Sequence, residues 1–360
     1  MKILFVITGL GMGGAEHVVV NLADELVKLG HEVKIAYLTG DVLVSPKSFD
    51  VELISISMSG ARDFAHGYIK LRRFIKKFKP DVVHSHMYHS NIISRLLRLT
   101  TNIPKVISTA HSSNEGGKAR MLAYRMTDRL ADISTNVSEE AVKSYVLKKA
   151  VKSDRMISIP NGVDTTNFFF NAIDRKEIRK QLNIADKKMI LCVGRLDEPK
   201  DYPNLFSAIS MLKNSRQDFK VYIVGDGPLK NELGTMVNNL NIENYIVFLG
   251  VRCDINALMS AADIYVMSSA WEGLPMAILE AMACERFIVA TDCGGIREAI
   301  GASGIVVEPK NHIQLSAKLD EALSMSVENR LKYGKLARQR IVDNYSLNAN
   351  TSLYLSLYGE

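Results

Sequence analysis

The chain has 360 residues, of which 47% are hydrophobic and 23% are charged, so it is a globular protein long enough to form two domains. It has no run of 18 apolar residues, and we therefore expect no membrane-spanning helix. The net charge of +6 is uneven: residues 1–165 hold 23 Lys and Arg against 16 Asp and Glu, whereas residues 166–360 hold 22 against 23. A basic first half favours an anionic partner, although a solvated surface without a partner has the same composition.

Short apolar runs typical of strands alternate with helix-length segments along the whole chain. The predicted strands of the first half are 3–8, 33–38, 81–84, 106–109, 133–137 and 156–159. Those of the second half are 189–193, 221–224, 245–249, 264–267, 287–291 and 305–307. Continuous apolar strands separated by helices predict parallel sheets covered on both faces. Two such sets predict an α/β fold of two Rossmann-like, doubly wound domains that face each other across a cleft.

The turn-rich connector PNGVDTTN at 160–167 marks the predicted break between the domains. We therefore place the first domain at residues 1–165 and the second at residues 166–342. Residues 343–360 are expected to carry an apolar helix, from 347 to 358, back to the first domain. Ligands of such folds bind beyond the carboxyl ends of the strands, so the residues that follow strands are the candidates for chemistry.

The first predicted strand ends in the glycine-rich loop GLGMGG, residues 9–14, which opens a helix at Ala15. Glycines let a backbone approach a phosphate closely, and a helix N-terminus attracts the anion. The spelling GxGxxG is also that of a dinucleotide site, but the second strand lacks the terminal acidic residue of such a site, since Asp41 comes only after a glycine. Phosphate contact, close packing and a plain tight turn all stay open for this loop.

Histidines end two other strands, as His84-Ser-His86 and as Thr109-Ala-His111. His84 and His86 are two positions apart and should point to the same face of a strand. Because no carboxylate accompanies them, a metal site is not predicted. We predict that His111 hydrogen-bonds a substrate and that His84 and His86 have structural roles.

The segment KLRRFIKKFK, residues 70–79, has six basic residues in ten, and its apolar residues have helical spacing. It is either a sheet-packing helix with a solvated basic face or a contact for anionic lipid headgroups. Nucleic acid is disfavoured as a partner, because stacking aromatics and a recognised binding module are missing. The candidate membrane contacts are Lys70, Arg72, Arg73, Lys76, Lys77 and Lys79, and a second basic run consists of Lys118, Arg120, Arg125 and Arg129.

Two stretches of the second half carry charge beyond strands. Arg195 and Lys200, in VGRLDEPK, follow the first strand of that half, and a guanidinium fork with a point charge suits a diphosphate. In WEGLPMAILEAMA, residues 271–283, Pro275 opens a helix that is apolar on every face except at Glu280, and Glu272 precedes it. Because an unpaired carboxylate is costly to bury, we expect Glu280 to emerge at a ligand site. No Asp-x-Asp occurs, so no metal site of that kind is predicted.

Five segments together resemble glycosyltransferase family 4, over nearly the whole chain and in the right order. They are GGAE at 13–16, SIPNGVD at 158–164, VGRLDEPKD at 193–201, VGDGPL at 224–229, and the E-x7-E pair of Glu272 and Glu280. The resemblance implies a retaining enzyme of the GT-B fold that uses a nucleotide-sugar donor. It also implies that Glu280 binds the ribose and that Glu272 and His111 contact the donor sugar.

By this resemblance the catalytic residues are Arg195, Lys200, Glu272 and His111, with the two cations stabilising the leaving diphosphate. The remaining residues implied at the donor are Gly13, Gly14, Arg252, Cys253, Gly273, Leu274, Pro275, Met276 and Glu280. The resemblance implies that the anomeric configuration is retained without a carboxylate nucleophile, because in this family the departing phosphate deprotonates the acceptor hydroxyl. Neither a metal nor another cofactor is expected.

The leading prediction is a glycosyltransferase that moves a sugar from a nucleotide-sugar, UDP-linked in the first instance, to an acceptor. The basic first half favours a lipid-linked acceptor, such as a polyprenyl-diphosphate glycan of surface polysaccharide or lipopolysaccharide O-antigen assembly. The acceptor side is expected in loops around residues 40–65 and 112–125. The predicted location is the cytoplasm, peripherally on the inner face of an anionic membrane. The alternatives are a nucleotide-sugar epimerase of the same fold and, third, an NAD-dependent dehydrogenase.

Overall fold

The structure, a computed structural model, describes residues 1–60, 63–113, 115–184 and 186–359. The chain divides into two compact units. Unit 1 consists of Met1–Gly162 and Leu347–Glu360, and unit 2 is Val163–Ser346. In the part of the chain that the structure describes, no helix is both long and apolar enough to cross a membrane.

Unit 1 has, among its described residues, one sheet of seven parallel strands in the order β3-β2-β1-β4-β5-β6-β7. The strands are β1 (Lys2–Ile7), β2 (Glu32–Tyr37), β3 (Glu52–Ser55), β4 (Val82–His86), β5 (Lys105–Ala110), β6 (Ile133–Asn136) and β7 (Met156–Ser158). The helices between them are α1 (Gly14–Lys28), α2 (Phe64–Phe78), α3 (Tyr88–Leu97), α4 (Lys118–Thr127) and α5 (Glu139–Leu147). Alternate residues of β1 enter two different cores, Phe5 on one face of the sheet and Leu4 on the other, so helices cover both faces.

Unit 2 has, among its described residues, six parallel strands in the order β10-β9-β8-β11-β12-β13. They are β8 (Lys188–Val193), β9 (Phe219–Val224), β10 (Ile246–Gly250), β11 (Ile264–Met267), β12 (Phe287–Thr291) and β13 (Gly304–Val307). The helices are α6 (Ala172–Gln181), α7 (Tyr202–Leu212), α8 (Lys230–Asn239), α9 (Ile255–Ala261), α10 (Met276–Ala283), α11 (Ile296–Ile300), α12 (His312–Ser324) and α13 (Val327–Asn344). Both units are therefore doubly wound, as predicted.

The strand order reverses once in each unit, between β1 and β4 and between β8 and β11. Chain that leaves two such neighbouring strands departs to opposite faces of the sheet, which opens a crevice at their carboxyl ends. In unit 2 the segment with Arg195 and Lys200 follows β8, and the segment with Glu272 follows β11. The predicted donor residues Arg195, Lys200 and Glu272 therefore follow the two strands at the reversal.

All twelve predicted strands are present, with ends within two residues of those predicted, but β3 was missed. It is a four-residue edge strand that pairs only with β2, and none of its residues is fully buried. Such a strand has no continuous apolar run to reveal it. The expectation of loops around 40–65 and 112–125 is correspondingly wrong in part, because β3 and the start of α4 lie inside them.

The chain returns to unit 1 through α14 (Leu347–Tyr358). Tyr354 and Tyr358 pack into the core beside β1, and the Tyr358 hydroxyl lies 2.7 Å from Nδ1 of His84. Val163 and Ser346 form a parallel bridge within unit 2. The unit boundaries consequently fall at 162/163 and 346/347 rather than at the predicted 165/166 and 342/343.

Two helical glycines of unit 2 should respond oppositely to alanine. A Cβ at Gly334 in α13 would lie 2.1 Å from the Glu285 carbonyl oxygen, whereas a Cβ at Gly234 in α8 meets nothing within 4 Å. Gly334→Ala should lower the free energy of unfolding by about 1–3 kcal/mol, since packed backbone must move. Gly234→Ala should raise it by about 0.5–1 kcal/mol, because alanine loses less backbone entropy in a helix. Thermal unfolding checks both, and equal stability of the two variants would contradict the packing.

Candidate active site

The segments that follow β8 and β11 are bonded to each other along their backbones. After β8 the chain forms a short 3-10 helix, Glu198–Lys200, before α7 begins. The amide of Ala270 donates to the carbonyl of Pro199 at 2.8 Å, and the Ser268 hydroxyl donates to the carbonyl of Lys200 at 2.9 Å. These bonds bring residues about 70 positions apart into one site at the sheet reversal.

An ion pair between Lys200 and Glu272 lies at the centre of this site. Nζ of Lys200 is 2.6 Å from Oε1 of Glu272, and the side chains are only 20% and 14% exposed. The Ser269 hydroxyl donates to the same carboxylate oxygen at 2.8 Å. Burial by itself would lower the pKa of Lys200, but the Glu272 carboxylate outweighs it and the pKa is raised, so the ammonium stays charged.

Arg195 is placed differently from Lys200. Its side chain is 70% exposed, and its Nε atom is 3.7 Å from Oδ2 of Asp197, too far for a hydrogen bond. The structure thus shows one cation held in an ion pair and a second extended toward solvent from the same loop. Asp197 was not among the predicted residues; burial raises the pKa of its carboxyl, and its Oδ1 atom is buried without a hydrogen-bond partner in the described chain.

Helix α10 begins directly after Glu272-Gly-Leu-Pro275. Pro275 is its N-cap, one residue before the first helical position, and no side chain caps the helix through a hydrogen bond. The carbonyl of Gly273 accepts the amide of Gly295 at 2.6 Å. Gly294 has a φ of +59°, and a Cβ there would lie 2.3 Å from the Gly273 oxygen. The uncapped N-terminus is therefore held in a fixed position, and its dipole favours an anion.

Glu280 is the fifth residue of α10 and is half-buried. Its carboxylate has no hydrogen bond or ion pair with any residue that the structure describes. Burial raises its pKa from 4.5 to about 7. The sequence predicted a conflict between an apolar helix and a carboxylate. That conflict is present in the structure, because no residue that the structure describes compensates the charge of Glu280.

The predicted base-side loop follows β10, next to the loop that follows β9, because the amide of Gly225 donates to the carbonyl of Gly250 at 2.9 Å. Arg252 donates to Asp254 through Nε at 2.8 Å and Nη2 at 2.5 Å. Cys253 is exposed. The Arg252 guanidinium is thus already paired with a carboxylate, whereas the Cys253 side chain is exposed.

In unit 1, helix α1 starts at Gly14, after Gly13 in an extended conformation. The carboxylate of Glu16 folds back over this glycine, since a Cβ on Gly13 would lie 2.4 Å from Oε2 of Glu16. Burial raises the pKa of Glu16. A phosphate approaching this loop would have to displace that carboxylate, which the sequence pattern GGAE does not reveal.

His111 belongs to a stack of three imidazoles with His84 and His86. Nδ1 of His86 is 3.0 Å from Nε2 of His111, and the His84 and His86 rings are 4.1 Å apart, on one face of β4 as predicted. His84 also contacts Thr109 at 2.7 Å, which gives it a structural role. Burial lowers the pKa of His111 to about 4 and those of the other two well below the usual value, so all three rings are neutral. The described residues include no three His, Cys, Asp or Glu arranged to hold a metal ion.

The basic helix is α2, with Leu71, Ile75 and Phe78 buried against the sheet. Its six candidate membrane contacts form no ion pair with a described residue, although Nε of Arg72 donates to the carbonyl of Thr100. Lys79 follows the helix as its left-handed C-cap. Arg73, Lys76, Lys77 and Lys79 are exposed, and Lys70 and Arg72 are half-buried.

Comparisons with known proteins match both units. Residues 12–167 match the family described as Glycosyltransferase Family 4, and residues 174–340 match Glycosyl transferases group 1. The chain is 30% identical, over 264 residues, to the UDP-Gal:α-D-GlcNAc-diphosphoundecaprenol α-1,3-galactosyltransferase of Escherichia coli, covering 70% of this chain and 67% of that enzyme. The chain belongs to glycosyltransferase family 4.

Two further similarities extend over nearly the whole glycosyltransferase. The first is to the GalNAc-α-(1→4)-GalNAc-α-(1→3)-diNAcBac-PP-undecaprenol α-1,4-N-acetyl-D-galactosaminyltransferase of Campylobacter jejuni, with 27% identity over 95% of this chain and 94% of that enzyme. The second is to the crystal structure of Anabaena Alr3699/HepE in complex with UDP-glucose, with a TM-score of 0.87 and 18% identity over the full length of both chains. This similarity shows the GT-B fold. Because the chain belongs to a glycosyltransferase family, the two alternative predictions, an epimerase and a dehydrogenase, are excluded.

Sequence reasoning missed several residues that position this glycosyltransferase's candidate groups. Ser269 orients Glu272, Gly294 lets the neighbouring loop close on Gly273, and Glu16 covers Gly13. The pair Gly294-Gly295, in the turn that follows β12, was a usable signal, because glycines just beyond the carboxyl end of a parallel strand often mark close backbone approach. Ser269 and Glu16 gave no such signal, since their roles depend on side-chain direction.

Replacing Glu280 with glutamine should stabilise the protein at alkaline pH. The folded state binds the Glu280 proton more tightly than the unfolded state, because its pKa is raised to about 7. Stability of the wild type therefore falls as pH rises from about 4.5 to about 7, whereas Glu280→Gln cannot ionise. At pH 8 the variant should be more stable by on the order of 1–3 kcal/mol, and the difference should nearly vanish at about pH 4.

Urea denaturation at the two pH values measures this effect. Glu298→Gln, at an exposed position of α11, is the matched control and should change stability little at either pH. A stability difference for Glu280→Gln that does not grow with pH would contradict the uncompensated carboxylate.

Proposed function

We propose that this glycosyltransferase moves a sugar, with retention of anomeric configuration, from a UDP-sugar bound by unit 2 to a lipid-linked glycan. The observation that carries the proposal is the Lys200–Glu272 ion pair beside the uncapped N-terminus of α10. It combines a fixed cation, a carboxylate that can accept hydrogen bonds from sugar hydroxyls, and a helix dipole that favours phosphate.

Each part of the donor has a matching group in the proposal. Lys200 donates one N–H to Glu272 and has two more for a diphosphate oxygen, and the exposed Arg195 supplies a second cation. The residues Gly273 to Met276 present the helix N-terminus to the same anion. Glu280, whose carboxylate has no protein partner in the described chain, accepts the ribose hydroxyls. The base lies at the loop of Cys253.

The transfer step breaks the bond between the anomeric carbon and the diphosphate oxygen and forms a bond from that carbon to the acceptor oxygen. The acceptor proton passes to the departing phosphate, on the same face of the sugar, so no carboxylate nucleophile is needed. Negative charge grows on the diphosphate as the bond breaks, and Lys200, Arg195 and the α10 dipole stabilise it. Neutral His111 serves as a hydrogen-bonding group of unit 1 rather than as a cation. We propose that no metal or other cofactor takes part.

The acceptor class is proposed from two observations. The E. coli and C. jejuni relatives carry diphosphoundecaprenol and PP-undecaprenol in the names of their substrates. The positive excess lies in the first half, where residues 1–165 hold 23 Lys and Arg against 16 Asp and Glu, and the α2 cations form no ion pair in the described chain. We propose a polyprenyl-diphosphate glycan of surface polysaccharide assembly as acceptor, with the enzyme in the cytoplasm on the inner membrane face. Nucleic acid is not a proposed partner.

Donor consumption tests the proposal. The purified chain is incubated with each common UDP-sugar, with and without a membrane lipid extract, and released UDP is measured. UDP release that depends on the extract supports the proposal. A chain that neither binds nor consumes any nucleotide-sugar would overturn it, as would interconversion of sugars without acceptor.

Removing either proposed diphosphate cation should slow turnover. Arg195→Ala or Lys200→Ala should lower kcat by a factor on the order of 10²–10³, as for loss of a preorganised charge. Lys318→Ala, an exposed cation of α12 in an i,i+3 pair, is the control and should keep normal turnover. Lys200→Ala leaves the Glu272 carboxylate without its cation, which can destabilise the fold. Thermal unfolding detects such a loss of stability. The double variant Lys200→Met/Glu272→Gln removes both charges, so it should fold normally and still turn over slowly. Near-normal turnover of both alanine variants would reject the diphosphate role.

Neutralising the exposed end of α2 should weaken membrane association. The variant Lys76→Gln/Lys77→Gln/Lys79→Gln should lose about 1 kcal/mol of binding to anionic liposomes per residue at low salt. Sedimentation with vesicles containing phosphatidylglycerol measures it. The control Lys2→Gln/Lys28→Gln/Lys34→Gln removes the same charge from unit 1 at cations that are already in ion pairs. If both triple variants bind equally well, the solvated-face interpretation of α2 is correct.

A further inference from the structure

A groove between α4 and α5 of unit 1 lies outside the predicted donor site. We call it the α4–α5 groove; its cavity volume is about 570 Å³, within the range of small-molecule sites. Its walls are formed mainly by Gly117, Lys118, Met121, Leu122, Arg125 and Lys149. Lys118, Leu122 and Arg125 have the i, i+4, i+7 spacing of one helix face, so they point to the groove together.

The cations of the groove are not neutralised by the protein. Lys118, Arg125 and Lys149 form no ion pair with any residue in the described ranges, and Lys148 donates to the carbonyl of Ser113 at 2.8 Å. Uncompensated cations around a concave surface concentrate an attractive potential for an anion. Arginine and lysine together bind phosphate oxygens well, the first as a fork and the second as a point charge.

Apolar side chains line the same groove. Leu122 is 55% exposed, and Met121, which lines the groove as well, is buried. A free anion would not need this apolar wall, and a flat bilayer would contact the rim of a concave groove rather than its floor. The combination is suited to a phosphate group joined to a hydrocarbon chain.

The groove is held in position relative to the end of β5. Its wall begins a few residues after His111, and the Ser113 carbonyl accepts from both Ser144 and Lys148 of the α5 side, at 2.9 and 2.8 Å. Gly116 has a φ of +125°, and a Cβ there would be 2.6 Å from Cδ of Arg120. The bonds to Ser113 join the chain after β5 to the end of α5, where Lys148 and Lys149 line the groove.

We propose that the α4–α5 groove binds the diphosphate and the first isoprenoid units of the lipid-linked acceptor, a proposal that rests on the function proposed above. Lys118, Arg125 and Lys149 bind the diphosphate oxygens, and Leu122 with Met121 covers the start of the hydrocarbon chain. The groove would thus select acceptors by their lipid diphosphate, separately from the sugar to which transfer occurs.

Calorimetric titration of the full chain with farnesyl diphosphate, in the absence of membranes, tests the groove directly. Inorganic pyrophosphate and farnesol are the comparison probes. Farnesyl diphosphate should bind at least about tenfold more tightly than either, because each comparison probe lacks one half of the ligand. Binding of pyrophosphate as tight as that of farnesyl diphosphate, or no binding of the latter, would overturn the proposal.

Two groove variants and one control locate the binding. Lys118→Gln/Arg125→Gln/Lys149→Gln should weaken farnesyl diphosphate binding about tenfold or more, and Leu122→Ser should weaken it without changing pyrophosphate binding. Because all four of these side chains are exposed, thermal unfolding should stay unchanged. Lys2→Gln/Lys28→Gln/Lys34→Gln removes equal charge elsewhere on unit 1 and should bind normally. Equal weakening by this control would show a general charge effect and reject the groove.

Binding of a UDP-sugar, measured on the same samples, separates this inference from the function on which it rests. If the groove variants bind the UDP-sugar normally and lose farnesyl diphosphate, both proposals are supported. If the wild type consumes a UDP-sugar but never binds farnesyl diphosphate, the groove proposal alone fails. If no nucleotide-sugar is bound while farnesyl diphosphate is, the transferase proposal fails and the groove is a lipid-diphosphate site of another function.

Discussion

The ion pair between Lys200 and Glu272 is the constraint on which the candidate donor site depends. Two opposite charges that are mostly withdrawn from water stabilise the fold only when they stay paired, because either one alone carries an uncompensated desolvation cost. The pair therefore fixes the chain after β8 to the chain after β11. It does so where the strand order reverses, which is where the topology of a doubly wound sheet leaves room for a ligand.

Helix α10 shows how such a site conflicts with stability. Its N-terminus lacks a side-chain cap, and its single carboxylate is half-buried without a partner in the described chain, although an apolar helix of this kind would be more stable with neither feature. Residues that weaken a fold in this way are characteristic of functional sites. A bound nucleotide would compensate both features, because its phosphate would interact with the helix dipole and its ribose hydroxyls would donate hydrogen bonds to the carboxylate.

Unit 1 has neutral histidines in its interior and unpaired cations at its described surface. Inside, three neutral imidazoles stack beside the sheet, and desolvation keeps them uncharged. Outside, the cations of α2 and of the α4–α5 groove are exposed or half-buried and form no ion pair within the described chain. The imidazole stack is thus neutral, whereas the surface cations attract anions. This difference is consistent with one surface for membrane headgroups and one groove for a single lipid diphosphate.

The pattern of residues along the chain predicts the fold class, twelve of the described strands and the charged residues at the strand ends. It does so because strands buried on both faces are continuous apolar runs, and because a carboxylate such as Glu280 in an apolar helix is conspicuous. The folded chain was needed to show that Lys200 pairs with Glu272 while Arg195 extends to solvent, that Glu16 covers Gly13, and that β3 and the α4–α5 groove exist. Periodicity reports whether a segment is buried, but the meeting of distant side chains depends on strand order and loop conformation, which no local pattern contains.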